Sequence, residues 1–593
     1  MIRRRTNLLL GAAAALAVAI PALAQDQPES LLPPGFGEPT ATPAPAPTAP
    51  GIAPSSNGPA ESLVQEVSPD AALTELVQQE LPPPIEMPDF ARRDASLVGP
   101  LPSSQTGYDE NAWGGASGKF LSVLLRRTSA PLASRWAHIA LRNALLTRIP
   151  APADINPADW AAERAWMLLR MGEADGSRML VSAVDVRDFT PKMYQIAMQS
   201  ALANADPSGL CPLEDGLGKV EKSVAPLVKA ICASLSGASE EAAADIDRAR
   251  RYGRIGGIDL ALADKVVGAG AESSRASTIE WGPVEALTSW RFGLATSTGL
   301  LPPQNLIDRA SPQIRAWQAR APILSAESRL PSARIATGLG VFSSQALIDF
   351  YSVVYDATDP SDLGQSDAWQ VRLAMVGKDL ETRLAAMRRL WGSTTDPLQK
   401  EAVRAVLARA ASRVAPDADL EEDAPELIAS MLAGGFDAEA ARWAGVIDDM
   451  SDKNADRCWA MLALAAPSAR GLDTGAGRIG EFIGRDDSLN KQRSALLVAG
   501  LAGLGRINGN TAGRLNSRYG LGLGRRTEWS TMIDAASQRR QAATAAVLAA
   551  VGMQAEDFMS VPAMHMYHSV TALSRNGQEF AARMIAAEAL ART

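Results

Sequence analysis

At several points in this chain a capping residue stands directly before a proline, among them Asn156-Pro157, Thr190-Pro191, Ser311-Pro312 and Asp396-Pro397. The side-chain oxygen of such a residue accepts an orphan N–H of the first helical turn. Proline there gives up nothing, because its missing N–H has no intrahelical partner anyway. Each pair therefore predicts a helix start. Apolar residues then recur at helical spacing, as in Ile314, Trp317 and Ala321, and in Val403, Leu407, Ala410 and Val414. Both sets lie on one helix face. Strand signals are sparse. The best run, Ser352-Val353-Val354-Tyr355, sits inside a longer helix-compatible segment. We therefore expect an all-α chain, with roughly twenty helices joined by short Gly, Pro and Asp turns.

A shorter pattern recurs inside this one: a turn glycine followed by a helix of small residues. It follows Gly172 and Gly435, with related forms after Gly237 and Gly577. Small residues let neighbouring helices approach closely. The pattern resembles the turn and second helix of tetratricopeptide-like repeats. That resemblance implies an irregular α-solenoid of helix hairpins, with a concave face for another protein. The intervals of 65, 198 and 142 residues between the glycines are not multiples of a tetratricopeptide period of about 34. A compact all-α protein with ordinary hairpins is the alternative.

The N-terminus has a different character. Arg3, Arg4 and Arg5 precede an apolar stretch, Leu8 to Ile20, and then Ala22-Leu23-Ala24. This order predicts a cleavable secretory signal over 1–24. The Ala-rich, Arg-over-Lys composition suggests a bacterial periplasm, with secretion beyond the outer membrane left open. Residues 25–112 hold 13 acidic side chains against Arg92 and Arg93, and ten prolines fall within 25–62. We expect a disordered acidic tail there, carrying one transient helix near Leu73, Leu76 and Val77. Residues 113–593 hold 53 acidic and 53 basic side chains, so the body is neutral. Such a balance offers no footprint for nucleic acid. No later apolar run is long enough for a membrane span. Within the body we expect a helical-repeat region over 113–467, a glycine-rich joint over 468–527 and a helical cap over 528–593.

Cys211 and Cys232 are candidates for a disulfide in an oxidising compartment, two reduced core thiols being the alternative. Cys458, beside Trp459, reads as a buried free thiol. Met559, Met564, His565, Met566 and His568 crowd together. Thioethers with imidazoles suit copper(I), which makes Met564, His565, Met566 and His568 minority metal candidates; core packing is the plainer reading. His138 lies in a packed helix, and no Gly-x-Ser-x-Gly elbow accompanies it. Gly118-Lys119 lacks the remaining Walker A residues, and Gly520-Leu521-Gly522-Leu523-Gly524 lacks a preceding strand. No cofactor is expected. Trp136, Trp160, Trp166, Trp317, Trp391, Trp443 and Trp459 are expected mostly in the core, one or two of them lining a concave face.

Ala326-Glu327-Ser328-Arg329, followed by Gly338-Leu339, is similar to the Glu-Ser and Gly-Leu-Met-Gln motifs of soluble lytic transglycosylases. Those enzymes are periplasmic and carry a long α-superhelix. The resemblance implies Glu327 as a general acid acting on peptidoglycan, although Met-Gln does not follow Leu339 here. The main expectation is a non-enzymatic periplasmic scaffold or adaptor that binds another envelope protein. The lytic-transglycosylase-like enzyme is the alternative.

Overall fold

The computed structural model describes residues 88, 91–271 and 278–593. The leader over 1–24 and the tail up to residue 87 lie outside the described residues. Within them the chain is an all-α array of helix hairpins, with 29 α-helices and no strand. One isolated bridge, Leu101 to Thr147, is its only β pairing among the described residues. The helices outnumber the expected twenty because several are short, such as Ser103–Thr106, Pro360–Leu363 and Asp437–Ala441.

Three of the four expected caps form. Asn156 accepts from the amides of Ala158 and Asp159, Thr190 from Met193, and Asp396 from Gln399. Ser311 precedes its helix without a side-chain cap bond. The run around Val353 lies in the helix Ser344–Ala357.

The turn glycines explain how hairpins follow one another. Gly172, Gly237, Gly435 and Gly577 all have positive φ, between 79° and 90°. At each, the next residue donates its N–H five residues back: Glu173 to Leu168, Ala238 to Ala233, Phe436 to Met431 and Gln578 to Leu573. This is a Schellman turn, which closes a helix and redirects the chain at once. At Gly172 the missing side chain also makes room, since a Cβ would stand 2.8 Å from that of Ala316. The same turn occurs without glycine at Ala205 (φ 51°) and Arg540 (φ 57°).

Several helices are wrapped on nearly all sides. In Pro397–Ala411 and Ala542–Gly552 almost every residue beyond the first turn is buried. One continuous core runs from Val98 to Leu590, crossing both 467 and 527. The region 468–527 thus belongs to the same core. Within its glycine-rich part the helix Gly509–Tyr519 forms between breaks at Gly505 and Gly520, both at positive φ. The expected tail boundary at 112 falls too late. Val98, Tyr108 and Ala112 are buried in this core, and Gly107 ends a short helix. Their low hydrophobic density hid them among prolines and acids. A smaller second core spans residues 197–295. Cys211 and Cys232 are joined there by a disulfide. Closing a loop of this size contributes about 3 kcal/mol in the chain-entropy model.

The array also meets its own beginning. The last helices, Ala542–Gly552, Ala563–Arg575 and Glu579–Ala591, form one layer with contacts to Arg135–Leu146. Glu588 is 4% exposed and accepts from the Ser134 hydroxyl (2.5 Å) and from the backbone N–H groups of Arg135 (2.9 Å) and Trp136 (3.2 Å). Arg592 donates to it as well, at 2.8 Å. A carboxylate from one end of the body therefore caps a helix at the other, where the helix dipole favours negative charge.

Glu588→Ala should lower unfolding stability by about 3 kcal/mol, because it strands buried donors and Arg592; urea titration reads this directly. Arg540→Gly should raise stability by about 1 kcal/mol by removing side-chain strain at positive φ. Arg540 is exposed, so an unchanged or lower melting temperature would contradict that assignment.

Candidate functional site

The closing seam leaves a cleft of about 820 Å³. One wall comes from the start of Pro397–Ala411, with Lys400 and Arg404. A second comes from Asp452–Ala465, with Lys453, Asp456, Arg457 and Ala460. Phe482, Arg485 and Arg493 follow, then Phe558 and Met559, and finally Leu590 and Arg592 from the last helix. The lining carries both signs of charge over an apolar floor.

Ion pairs fix these walls. Arg485 binds Asp456 with two nitrogens, at 2.7 and 2.8 Å, and Arg478 adds a third contact at 2.7 Å. Burial alone would raise the Asp456 pKa, but these guanidinium bonds hold it below the ordinary aspartate range. Arg404 binds Glu426 in the same two-pronged way, at 2.9 and 3.0 Å. Lys400 (3.6 Å) and Arg457 (3.4 Å) share that carboxylate. Three cations thus share one anion. Arg404 also donates to the Ala591 carbonyl at 3.0 Å, tying the wall to the last helix. Asp486 accepts from the Ser488 amide (2.9 Å) and from the amide and hydroxyl of Ser494, which shapes the turn before Arg493.

Behind Arg404 lies Glu401, 2% exposed and 3.8 Å from Arg404. Burial, together with the charge of Glu588, raises its pKa. Buried carboxyls of this kind accompany functional sites as well as structural networks.

The residues singled out from sequence lie elsewhere. Glu327 is exposed in the first turn of Ala326–Leu339 and lines none of the cavities described here. Met564 and Met566 are buried in the core beneath Ala563–Arg575. His565 Nδ1 is 3.0 Å from the Gly552 carbonyl, and its ring packs on Trp529. His568 Nδ1 is 2.7 Å from Asp534. Both imidazoles thus serve packing and hydrogen bonding, and no cluster of three or more His, Cys, Asp or Glu side chains poised for a metal occurs among the described residues. His138 is buried, with Nε2 3.0 Å from Glu173. Cys458 is a buried free thiol whose pKa burial pushes up to about 12. Trp136, Trp160, Trp317, Trp391, Trp443 and Trp459 are buried; Trp166 is partly so, under Arg170. None of the seven lines the cleft.

The cleft residues escaped sequence reading because they come from segments far apart. Their only local trace is charge density, as in Asp452-Lys453 with Asp456-Arg457, and Arg485-Asp486-Asp487. No protein-family model, no curated protein and no solved structure matches the chain.

Burial lowers the pKa of both His138 and His565. The unfolded chain takes up protons on these imidazoles near pH ~6.5, before the folded chain does, so their contribution is full above that value and is lost as pH falls through it. His565→Gln removes one of the two. The wild-type melting temperature should therefore fall further than that of His565→Gln between pH 7 and 5, as read by circular dichroism.

Proposed function

We propose that this protein is a non-enzymatic scaffold of the bacterial cell envelope, exported by its N-terminal leader, that holds a segment of another envelope protein in the cleft. The observation that carries this reading is the cleft itself. It is open, large enough for several side chains, and walled by side chains already locked in ion pairs. Walls ordered before binding lose little conformational freedom when a partner arrives, which is the physical basis of preorganised recognition. The apolar floor of Phe482, Phe558 and Leu590 supplies anchor contacts, and the charged rim supplies specificity. The repeated Schellman-turned hairpins support a degenerate relation to tetratricopeptide-like arrays. The leader pattern and acidic N-terminal composition support export with a long solvated lead-in.

Photo-crosslinking tests the reading. A photoreactive residue is placed at Lys453 or Met559 in the cleft, and at Glu327 as an exposed control, in the full chain within envelope preparations. A single protein adduct should form from both cleft positions and not from Glu327, and Arg457→Glu should diminish it. No adduct from the cleft, equal adducts from all three positions, or release of muropeptides by the purified protein would overturn the reading.

A further inference from the structure

The neutral charge of the body is unevenly spread. Residues 488–527 hold seven basic side chains and no acidic one. Three of the seven are used inside the protein. Lys491 donates to the Ile483 and Asp486 carbonyls, Arg493 pairs with Asp487, and Arg506 donates to the Ala463 and Ala466 carbonyls. The other four, Arg514, Arg518, Arg525 and Arg526, are exposed, and none forms an ion pair with any described residue. In the cleft the reverse holds: Arg404, Arg457, Arg485, Arg493 and Arg592 are all paired.

The fold keeps the four unpaired arginines close together. Arg514 and Arg518 stand one turn apart on the helix Gly509–Tyr519. The chain then folds back on that helix. Gly520 and Leu521 donate to the Asn516 carbonyl, and the Leu523 amide donates to the Asn516 side-chain oxygen. Arg525 and Arg526 follow within three residues of this tie. Leu515 is the buried side of the helix, with Ala512 and Tyr519 packed partly against the core. The outer side carries Asn510, Gly513, Ser517 and the two arginines, all exposed. A Cβ at Gly509, Gly513, Gly520 or Gly522 would meet nothing within 4 Å, so no other described element covers this side.

What the face offers and lacks defines its partner. It offers four guanidinium groups, whose planar donor forks match phosphate oxygens. The side chains between them are short, so the guanidinium groups project furthest. None of the four lines the cleft or the smaller cavities around Phe292 and Tyr252, which argues against a site shaped for one small anion. No large apolar side chain between 490 and 531 is exposed, so a protein partner would find no anchor. Single-stranded nucleic acid needs aromatic rings for its bases, and Tyr519 is half-buried beneath Arg518. A plane of clustered phosphates needs neither hollow nor anchor. Clusters of four or more basic side chains on a helix suit anionic lipid. Acidic groups elsewhere on the chain do not oppose this, because charges more than about 8 Å away are largely screened at physiological ionic strength.

We infer that this face docks on anionic phospholipid headgroups, with Arg514, Arg518, Arg525 and Arg526 contacting their phosphates. The inference stands apart from the scaffold reading and does not need it.

Vesicle co-sedimentation provides the test, using the protein purified in its cellular form. The vesicles are phosphatidylcholine alone, or equal parts phosphatidylcholine and phosphatidylglycerol. Wild type should sediment with the mixed vesicles and stay in solution with phosphatidylcholine. Arg514→Gln combined with Arg518→Gln should weaken binding by about 25-fold, roughly fivefold per arginine. Arg514→Lys combined with Arg518→Lys keeps the charge and should bind within about threefold of wild type. All of these are exposed changes, and circular dichroism checks that the fold is intact. A short DNA duplex and polyglutamate serve as competing polyanions. Four outcomes would overturn the inference: no binding to the mixed vesicles, equal binding to both vesicle types, unchanged binding by the glutamine variant, or tighter binding to the duplex or polyglutamate than to the mixed vesicles.

Discussion

The body of this protein depends on one carboxylate. Glu588 accepts from a hydroxyl and two backbone amides at the start of Arg135–Leu146 and pairs with Arg592 on its own helix. Without it, two helix ends from opposite parts of the chain would bring unpaired donors and a guanidinium together in a dry seam. With it, each of those donors has an acceptor. Nearby charges follow from that placement. Arg135 reaches the carbonyls of Thr337 and Ala433, and Arg404 reaches that of Ala591, so the C-terminal ends of three helices converge on one ionic centre. The cleft lies beside this centre, with Arg404, Leu590 and Arg592 in its lining.

Local chemistry sets the rest of the architecture. The Schellman turn ends a helix, reverses the chain and starts the next helix two residues later. Where glycine occupies the turn, the backbone reaches positive φ without side-chain conflict. Where Ala205 or Arg540 occupies it, the same geometry persists, held by packing on either side. Tertiary context has overridden a local preference there, which is why the spacing of glycines alone understates how often the hairpin recurs.

Much of the fold was therefore legible in the sequence. Asn156, Thr190 and Asp396 marked true helix starts because capping is a contact within a few residues. The disulfide cysteines were legible for a similar reason, being few and close in sequence. The wrapping of Pro397–Ala411 was not legible, since a helix covered on every side and one with a single apolar stripe differ only in their neighbours. Residues 98–112 were misread as tail because Tyr108 and Val98 enter the core singly, with no periodic run to announce them. The candidate site was the least legible part. Glu426 draws Arg404 and Arg457 from helices that precede and follow it, and nothing in a linear pattern says which charges will meet.

Contact between the first and last layers has an evolutionary corollary. An open array of hairpins grows or shrinks by whole units, because each unit touches only its neighbours. Here the Glu588 seam must return to Ser134 after a fixed number of turns. Duplicating or deleting a hairpin between them would move one end away from the other and break the seam. The join thus fixes the number of hairpins between its two halves, and added length is accommodated only in turns that point away from it.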